Sequence, residues 1–343
     1  MLSKLELGCL PTAIGSMPHV DPEKACSIVM KYLPDIPAWP QLPKRSSKED
    51  MCIQFSEGFP DVVTDNGSIH LKPSADFYTM LERIHIDCEQ DNPSGYGISA
   101  EYAAGLHYFL SLKSQRLRIV KGQVTGPVTW GLTVTDENKR PILHDETLAE
   151  TVAKFLRLKA SWQEATLRRM SPNTIIFVDE PYLVSLGSVF ASLPEAKVPA
   201  LLEEVFRGIK GMKGLHCCGN TNWAVPLSSR INILSFDAYN YASSLSAYRE
   251  EVKSFLGRGG VIAWGIVPSD EEALARESPS SLYDRLGEAM APFTRNGTSF
   301  RQIIAQGLIT PSCGLASLPL ELAEKALGLL AELSRRVRKK YTI

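Results

Sequence analysis

The chain carries almost no net charge. Its 343 residues include 37 basic and 38 acidic side chains, a balance of -1 at neutral pH. The basic face that nucleic-acid binding needs is therefore missing. Long apolar runs are missing too: nowhere are 18 successive residues apolar, which argues against a membrane-spanning helix. The first residues are soon interrupted by Lys4, Gly8 and Pro11 and have no signal-peptide core, so a cytoplasmic location is expected. No Gly-x-Gly-x-x-Gly follows the first strand candidate, which counts against a dinucleotide fold, and no His-Glu-x-x-His supports a zinc protease. Internal repeats and low-complexity linkers are also lacking. What is present is ordinary globular composition, 44% hydrophobic and 22% charged, which excludes disorder as the main state. Seven cysteines in a reducing compartment read as thiols or metal ligands rather than disulfides. The sequons at Asn66 and Asn296 are then accidental.

Short apolar runs recur along the chain. The clearest cover residues 174–179, 214–218, 231–237 and 261–267; weaker ones cover 12–16, 36–40, 118–124 and 308–313. They are β-branched and do not alternate with polar residues, the pattern of strands buried on both faces of a parallel sheet. Amphipathic helical patterns lie between them, at 143–169 (Leu148, Val152, Phe155 and Leu156 on one face), 193–210, 245–256 and 318–338. The last carries Leu320, Leu327, Leu330 and Val337 and ends in the basic run 335–340, which suits a helix C-terminus.

Eight strand candidates alternating with helices predict one α/β domain over residues 1–343, a (β/α)8 TIM barrel. A doubly wound sheet is the runner-up. The rhythm breaks over residues 41–116, where 60–71 reads as a hairpin on an Asn66-Gly67 turn. This segment is expected to be an insertion after the second strand, covering the barrel mouth.

Barrel chemistry gathers at the C-terminal strand ends. Those ends carry Asp179-Glu180-Pro181, His216-Cys217-Cys218, Phe236-Asp237 and Pro311-Ser312-Cys313. Strand side chains alternate with period two, so His216 and Cys218 share one face and Cys217 takes the other. His216, Cys218 and Cys313 form a His/Cys/Cys set suited to zinc, with Asp237 as a candidate fourth ligand. Cys9, Cys26, Cys52 and Cys88 lack that pattern and read as core or surface thiols. Zinc keeps a bound thiol deprotonated, which makes a nucleophile at neutral pH, or it activates water.

Asp179 and Glu180 are candidate acid–base carboxylates, and Asp179 can also bind an ammonium group. At the end of the first strand Ile14-Gly15-Ser16 lets a ligand approach the backbone and offers a hydroxyl. Ser16, Glu57 and Asp179 together would anchor the zwitterion of an amino acid.

The ordered motifs Ile14-Gly15-Ser16-Met17-Pro18, Thr125-Gly126-Pro127-Val128-Thr129, Val178-Asp179-Glu180-Pro181, His216-Cys217-Cys218, Phe236-Asp237 and Pro311-Ser312-Cys313-Gly314-Leu315 span most of the chain. Together they resemble the C-terminal catalytic half of cobalamin-independent methionine synthase, in the uroporphyrinogen decarboxylase-like barrel superfamily. The resemblance implies zinc-dependent methyl transfer to the sulfur of homocysteine or a similar small thiol. It makes His216, Cys218 and Cys313 zinc ligands, and Ser16, Asp179 and Glu57 amino-acid anchors. The full-length family enzyme has a second barrel, for which 343 residues leave no room. The family's Glu ligand falls on Asp237, and its folate contacts are not matched, with Trp130 near that segment but offset. The family's His after the seventh strand has no counterpart in Gly265-Ile266-Val267-Pro268-Ser269. The chain is similar to the short, core-type methionine synthases and also to corrinoid:thiol methyltransferases. Both imply a methyl-corrinoid donor, methylcobalamin or a corrinoid carried on a partner protein.

Other readings are a corrinoid- or metal-binding accessory protein without turnover, transfer to another thiol, and porphyrinogen decarboxylation. A sulfonate thiol would call for cations, for which Lys44 and Arg45 are the nearby pair. Decarboxylation would call for arginines at the mouth, where Arg45 stands alone.

Overall fold

The computed structural model describes residues 7–65, 67–112, 117–185, 197–295 and 297–343. Nine strands occur among them: β1 Leu10–Pro11, β2 Val62–Asp65, β3 Ser68–Leu71, β4 Val120–Thr125, β5 Thr174–Asp179, β6 Met212–Cys217, β7 Ile233–Phe236, β8 Val261–Val267 and β9 Gly307–Pro311. Seven form one parallel sheet in the order β1-β9-β8-β7-β6-β5-β4. Helices alternate with these strands, as a parallel sheet requires for its crossovers.

The expected second strand takes a looser form. Residues 36–41 lie between the two sheet edges through isolated parallel bridges, Ala38 to Lys121 on β4 and Gln41 to Ser16 beyond β1. Lys121 N–H donates to the Pro37 carbonyl (2.9 Å), Met17 N–H to Gln41 (2.8 Å) and the Thr12 hydroxyl to Ile36 (2.9 Å). Pro37 and Pro40 have no N–H to give, so this segment cannot build a continuous ladder. The first strand is likewise short, Leu10–Pro11, and ends before the expected 12–16.

The hairpin is present. β2 pairs antiparallel with β3, Val62 opposite Leu71 and Asp65 opposite Ser68. Gly67 has a φ of +82°, which its missing side chain tolerates. Leu71 N–H donates to the Thr135 carbonyl at 2.8 Å, so the hairpin is tied to the segment just past the helix that follows β4. Asn66, Asn296 and residues 193–196 of an expected helix lie outside the described residues.

The expected helices are seen as Glu146–Leu167, Val198–Arg207 and Leu320–Tyr341, while 245–256 is divided between a short turn and Arg249–Gly257. Asp145 accepts from Leu148 N–H and caps the first of these. In Leu320–Tyr341 the residues Leu327, Leu330 and Val337 are buried, but Leu320 is exposed because it is the first helical residue and overhangs the core. Arg338, Lys339 and Lys340 occupy the last turn, and Arg338 binds the Gly8 carbonyl at 2.7 Å.

Alternation sorts each strand into two faces. Ile176, Val178, Leu215, Leu234, Phe236, Ile262 and Ile309 pack outward against the helices in one core. Leu10, Ile36, Ile119, Ile175, Phe177, Ile233, Val261, Ala263 and Leu308 form a separate inner core. Continuing along the inner face, Lys121, Gln123, Asp179, His216, Ser235 and Thr310 follow these apolar residues toward the C-terminal strand ends. The inner face of the seven-stranded sheet is thus apolar at one end and polar at the other.

Candidate metal centre

Parallel strands bring their C-terminal ends to one rim, and three of those ends meet. The ligand atoms of His216, Cys218 and Cys313 all lie within 4.8 Å of one another. His216 is the penultimate residue of β6, Cys218 follows that strand, and Cys313 lies two residues beyond β9. His216 is buried and both cysteines are half-buried.

Two observations fit a thiophilic divalent metal here. His216 Nδ1 lies 3.0 Å from Ser235 Oγ, while its buried Nε2 has no hydrogen-bond partner. A metal on Nε2 requires the ring proton on Nδ1, where Ser235 can accept it. The thiols supply the second observation. A hydrogen bond from Cys313 and the neighbouring His216 ring pull Cys218 well below the usual thiol range, and Cys218 in turn pushes Cys313 up. One thiolate disfavours the second, a conflict that a bound zinc ion removes. Elsewhere burial pushes Cys9, Cys26, Cys52 and Cys217 up to about 12 and Cys88 to about 11, so these are inert thiols.

Asp237 lies outside this 4.8 Å group but near enough for the charges of Cys218 and His216 to act on its carboxyl. It caps the helix Ala238–Leu245, with Oδ1 accepting from Asn240 N–H (2.9 Å) and Oδ2 from the Asn240 amide (2.7 Å). The candidate fourth ligand is thereby engaged as an N-cap.

Asp179 closes β5 in register with His216. It is buried, and its Oδ1 has no partner. Burial pushes its carboxyl up, opposed by the charges of His216 and Lys121. Glu180 faces the opposite way. Its carboxylate accepts from Val128 N–H (2.8 Å), Thr129 N–H (2.7 Å) and the Thr129 hydroxyl (2.6 Å). These donors open the helix Pro127–Thr133, whose N-cap Gly126 has no side chain to offer. A Cβ on Gly126 would stand 2.2 Å from the Glu180 carboxyl group, so the glycine makes room for this cap. Burial pushes Glu180 up to about 7. The Thr-Gly-Pro-Val-Thr and Asp-Glu-Pro motifs are therefore two halves of one buried cap, and Glu180 faces the side of Cys217 rather than that of Cys218.

Ser16 sits against the loop that bears Cys313. Leu315 N–H donates to its carbonyl at 2.9 Å, and a Cβ on Gly314 would come within 2.0 Å of its Oγ. A Cβ on Gly15 would meet Gln123 and Gln41 at 2.8 Å. The Ile14 carbonyl accepts from Lys121 Nζ at 2.6 Å. Glu57 is engaged elsewhere: its carboxylate accepts from Ser99 N–H at 2.7 Å, and its charge reaches Lys159.

Lys121, Gln123, Ser235 and Thr310 escape a search for reactive motifs. Lys121 is fully buried, lies 4.3 Å above the Phe177 ring, and is pushed down to about 8 by burial, opposed by Asp179. The signal was in Val120-Lys121-Gly122-Gln123-Val124-Thr125, where alternate residues of a wholly buried strand are polar.

Comparisons with known proteins agree with this architecture. No known family model matches the chain. It is 24% identical over 221 residues to a methionine synthase from Methanocaldococcus jannaschii, covering 64% of this chain and 65% of that protein. The chain thus spans less than two thirds of the length of this curated relative. Its fold is similar to a B12-independent methionine synthase from Shewanella sp. W3-18-1, solved with selenomethionine (TM-score 0.60, 17% identity, 97% of this chain and 98% of that one). It is also similar to a methyltransferase from Methanosarcina mazei (TM-score 0.55, 15% identity, 91% and 86%) and to a B12-independent methionine synthase, itself described as putative, from Listeria monocytogenes (TM-score 0.57, 15% identity, 92% and 85%). The chain therefore has a methionine-synthase-like α/β fold, with a parallel seven-stranded sheet. Among the described residues no helix is long and apolar enough to cross a membrane.

Proposed function

We propose that this chain is a zinc-dependent methyltransferase whose acceptor is the thiol of homocysteine, giving methionine. The observation that carries the reading is the His216, Cys218 and Cys313 group, with His216 oriented by Ser235 and its Nε2 unpartnered. These three residues would hold the metal. When bound, zinc would keep the acceptor sulfur a thiolate at neutral pH.

The chain's own residues supply the rest. Asp179, with an unpartnered buried oxygen, binds the ammonium group of the acceptor. The Ile14-Gly15-Ser16 backbone lies beside Gly314 and meets its carboxylate end. Lys121 Nζ donates to the Ile14 carbonyl and so fixes that backbone. Glu180 acts by position: it ties the end of β5 to the helix Pro127–Thr133 and so holds Asp179 at the rim. Asp237 supports the rim as a helix cap, and Glu57 fastens the 41–116 segment through Ser99.

Two of the similar structures are named B12-independent methionine synthases, which speaks for a donor other than a corrinoid, such as a folate. The loop after β8, with no imidazole to protonate a leaving nitrogen, speaks for a methyl-corrinoid. The test offers both. Zinc-loaded protein is incubated with homocysteine and either methylcobalamin or methyltetrahydrofolate, and methionine is measured beside bound zinc. Methionine from either donor, at one zinc per chain, is the expected result. Full zinc with no methionine from any donor would convert the reading to the accessory protein.

A further inference from the structure

Five buried side-chain atoms among the described residues have no hydrogen-bond partner: His19 Nδ1, Asp179 Oδ1, His216 Nε2, Trp264 Nε1 and Thr310 Oγ1. Such groups cost stability and call for an explanation. Trp264 belongs to the outer layer, with ring centroids 5.6 Å from Phe236 and 5.8 Å from Phe293. His19 lies past the rim within reach of the charges of Asp21 and Glu324. The other three share the inner face of the barrel. Metal binding accounts for His216 and an ammonium group for Asp179. Thr310 is left over.

Its surroundings point to a ligand. Thr310 is fully buried on β9 and shares the inward side of Leu308. Its neighbour in register on β8 is Gly265, which has no side chain to accept the hydroxyl proton and stands close against the Phe236 carbonyl, where a Cβ would come within 2.4 Å. On its other side Thr12 stands at the same level, one residue past the Pro11–Ile309 pair, and that hydroxyl is satisfied by Ile36. Of two threonines side by side, one is satisfied by the protein and the other is left open. The open one precedes Cys313 by three residues and stands on the strand paired with β1, from which Ile14-Gly15-Ser16 emerges.

We infer that Thr310 is a specificity-determining residue of the acceptor site, its hydroxyl donating to the carboxylate of the amino-acid thiol. Asp179 is an acceptor and takes the ammonium group, so the carboxylate is the part of a zwitterion that requires a donor. The inference rests on the proposed function and adds a residue to that site.

The test compares zinc-loaded wild type, Thr310→Val and Thr310→Ser by zinc content, melting temperature without acceptor, and calorimetric affinity. The ligands are homocysteine and 3-mercaptopropylamine, which is homocysteine without its carboxylate. Valine has the shape of threonine without the hydroxyl. Thr310→Val should retain zinc, melt at the same or a higher temperature, and bind homocysteine about tenfold more weakly. Its affinity for the amine should match wild type, and Thr310→Ser should restore homocysteine binding. A role confined to the fold would instead lower the melting temperature and leave affinity unchanged, which overturns the inference. So does equal weakening of both ligands. If Thr310→Val does not fold, Thr310→Ala against Thr310→Ser carries the same comparison. Wild type that fails to bind homocysteine defeats the proposed function, and the inference with it. Wild-type binding matched by Thr310→Val defeats the inference alone.

Discussion

The two ends of the inner sheet face differ in what they leave unfinished. At the N-terminal end Ile119, Ile175, Phe177, Ile233, Val261, Ala263 and Leu308 fill the space with apolar atoms that need no partner. At the C-terminal end the same strands contribute Lys121, Asp179, His216, Ser235 and Thr310, and three of these carry an unpartnered buried atom. Burying an unmatched polar group is unfavourable, so the first layer stabilises the fold while the second spends part of that stability on a place for a ligand. The gathering of His216, Cys218 and Cys313 at one rim follows from this change of chemistry along strands whose backbone is uniform.

Substitutions can break or sharpen that contrast. The largest effect is expected from Cys218→Ala, which removes one of three gathered ligands. Zinc and methyl transfer should be lost together while the circular dichroism spectrum stays native; full zinc in metal analysis would refute the ligand assignment.

Phe177→Ala attacks the apolar layer. It opens a cavity and removes the ring beneath Lys121, and should lower unfolding free energy by about 3–5 kcal/mol in denaturant titration. Zinc stoichiometry of the folded protein should not change.

Glu180→Gln should cost about 2 kcal/mol, because an amide NH2 replaces an acceptor facing N–H donors. This variant also tests the pH dependence. The folded-state value of Glu180 is raised from 4.5 to about 7. Its contribution is therefore fully present below about pH 4.5 and lost as pH rises through 7. Wild-type melting temperature should fall across that window more steeply than that of Glu180→Gln; parallel curves would show that Glu180 does not titrate there.

The smallest of these effects belongs to Ser235→Ala. It leaves all three ligands but frees the His216 ring, and should weaken zinc binding by about tenfold in chelator competition, with little change in melting temperature.

Much of the fold was legible in the sequence because the outward and inward faces of the strands are both apolar over most of their length. The runs at 174–179 and 261–267 correspond to β5 and β8. Residues 36–40 were found as well, but their prolines reduce them to isolated bridges. The trio was legible because His-x-Cys on a strand sets both residues on one face and Cys313 stands at another strand end. Roles that depend on a particular partner were harder to see. Glu180 is adjacent to Asp179 in sequence, yet alternation sends it to a helix on the opposite face. Glu57 offers a carboxylate at a suggestive place, yet Ser99, which it meets, is 42 residues away.

By itself the sequence determined the alternation of strands and helices, and which residues could reach a common rim. Both follow from local rules, the period of two along a strand and the burial of apolar runs. Which carboxylate shares a face with the His216, Cys218 and Cys313 group and which hydroxyl is left without a partner were decided only by the tertiary structure. Those properties belong to pairs of groups far apart in the chain, and a hydrogen bond is satisfied or left open only once its partner has been brought within about 3 Å.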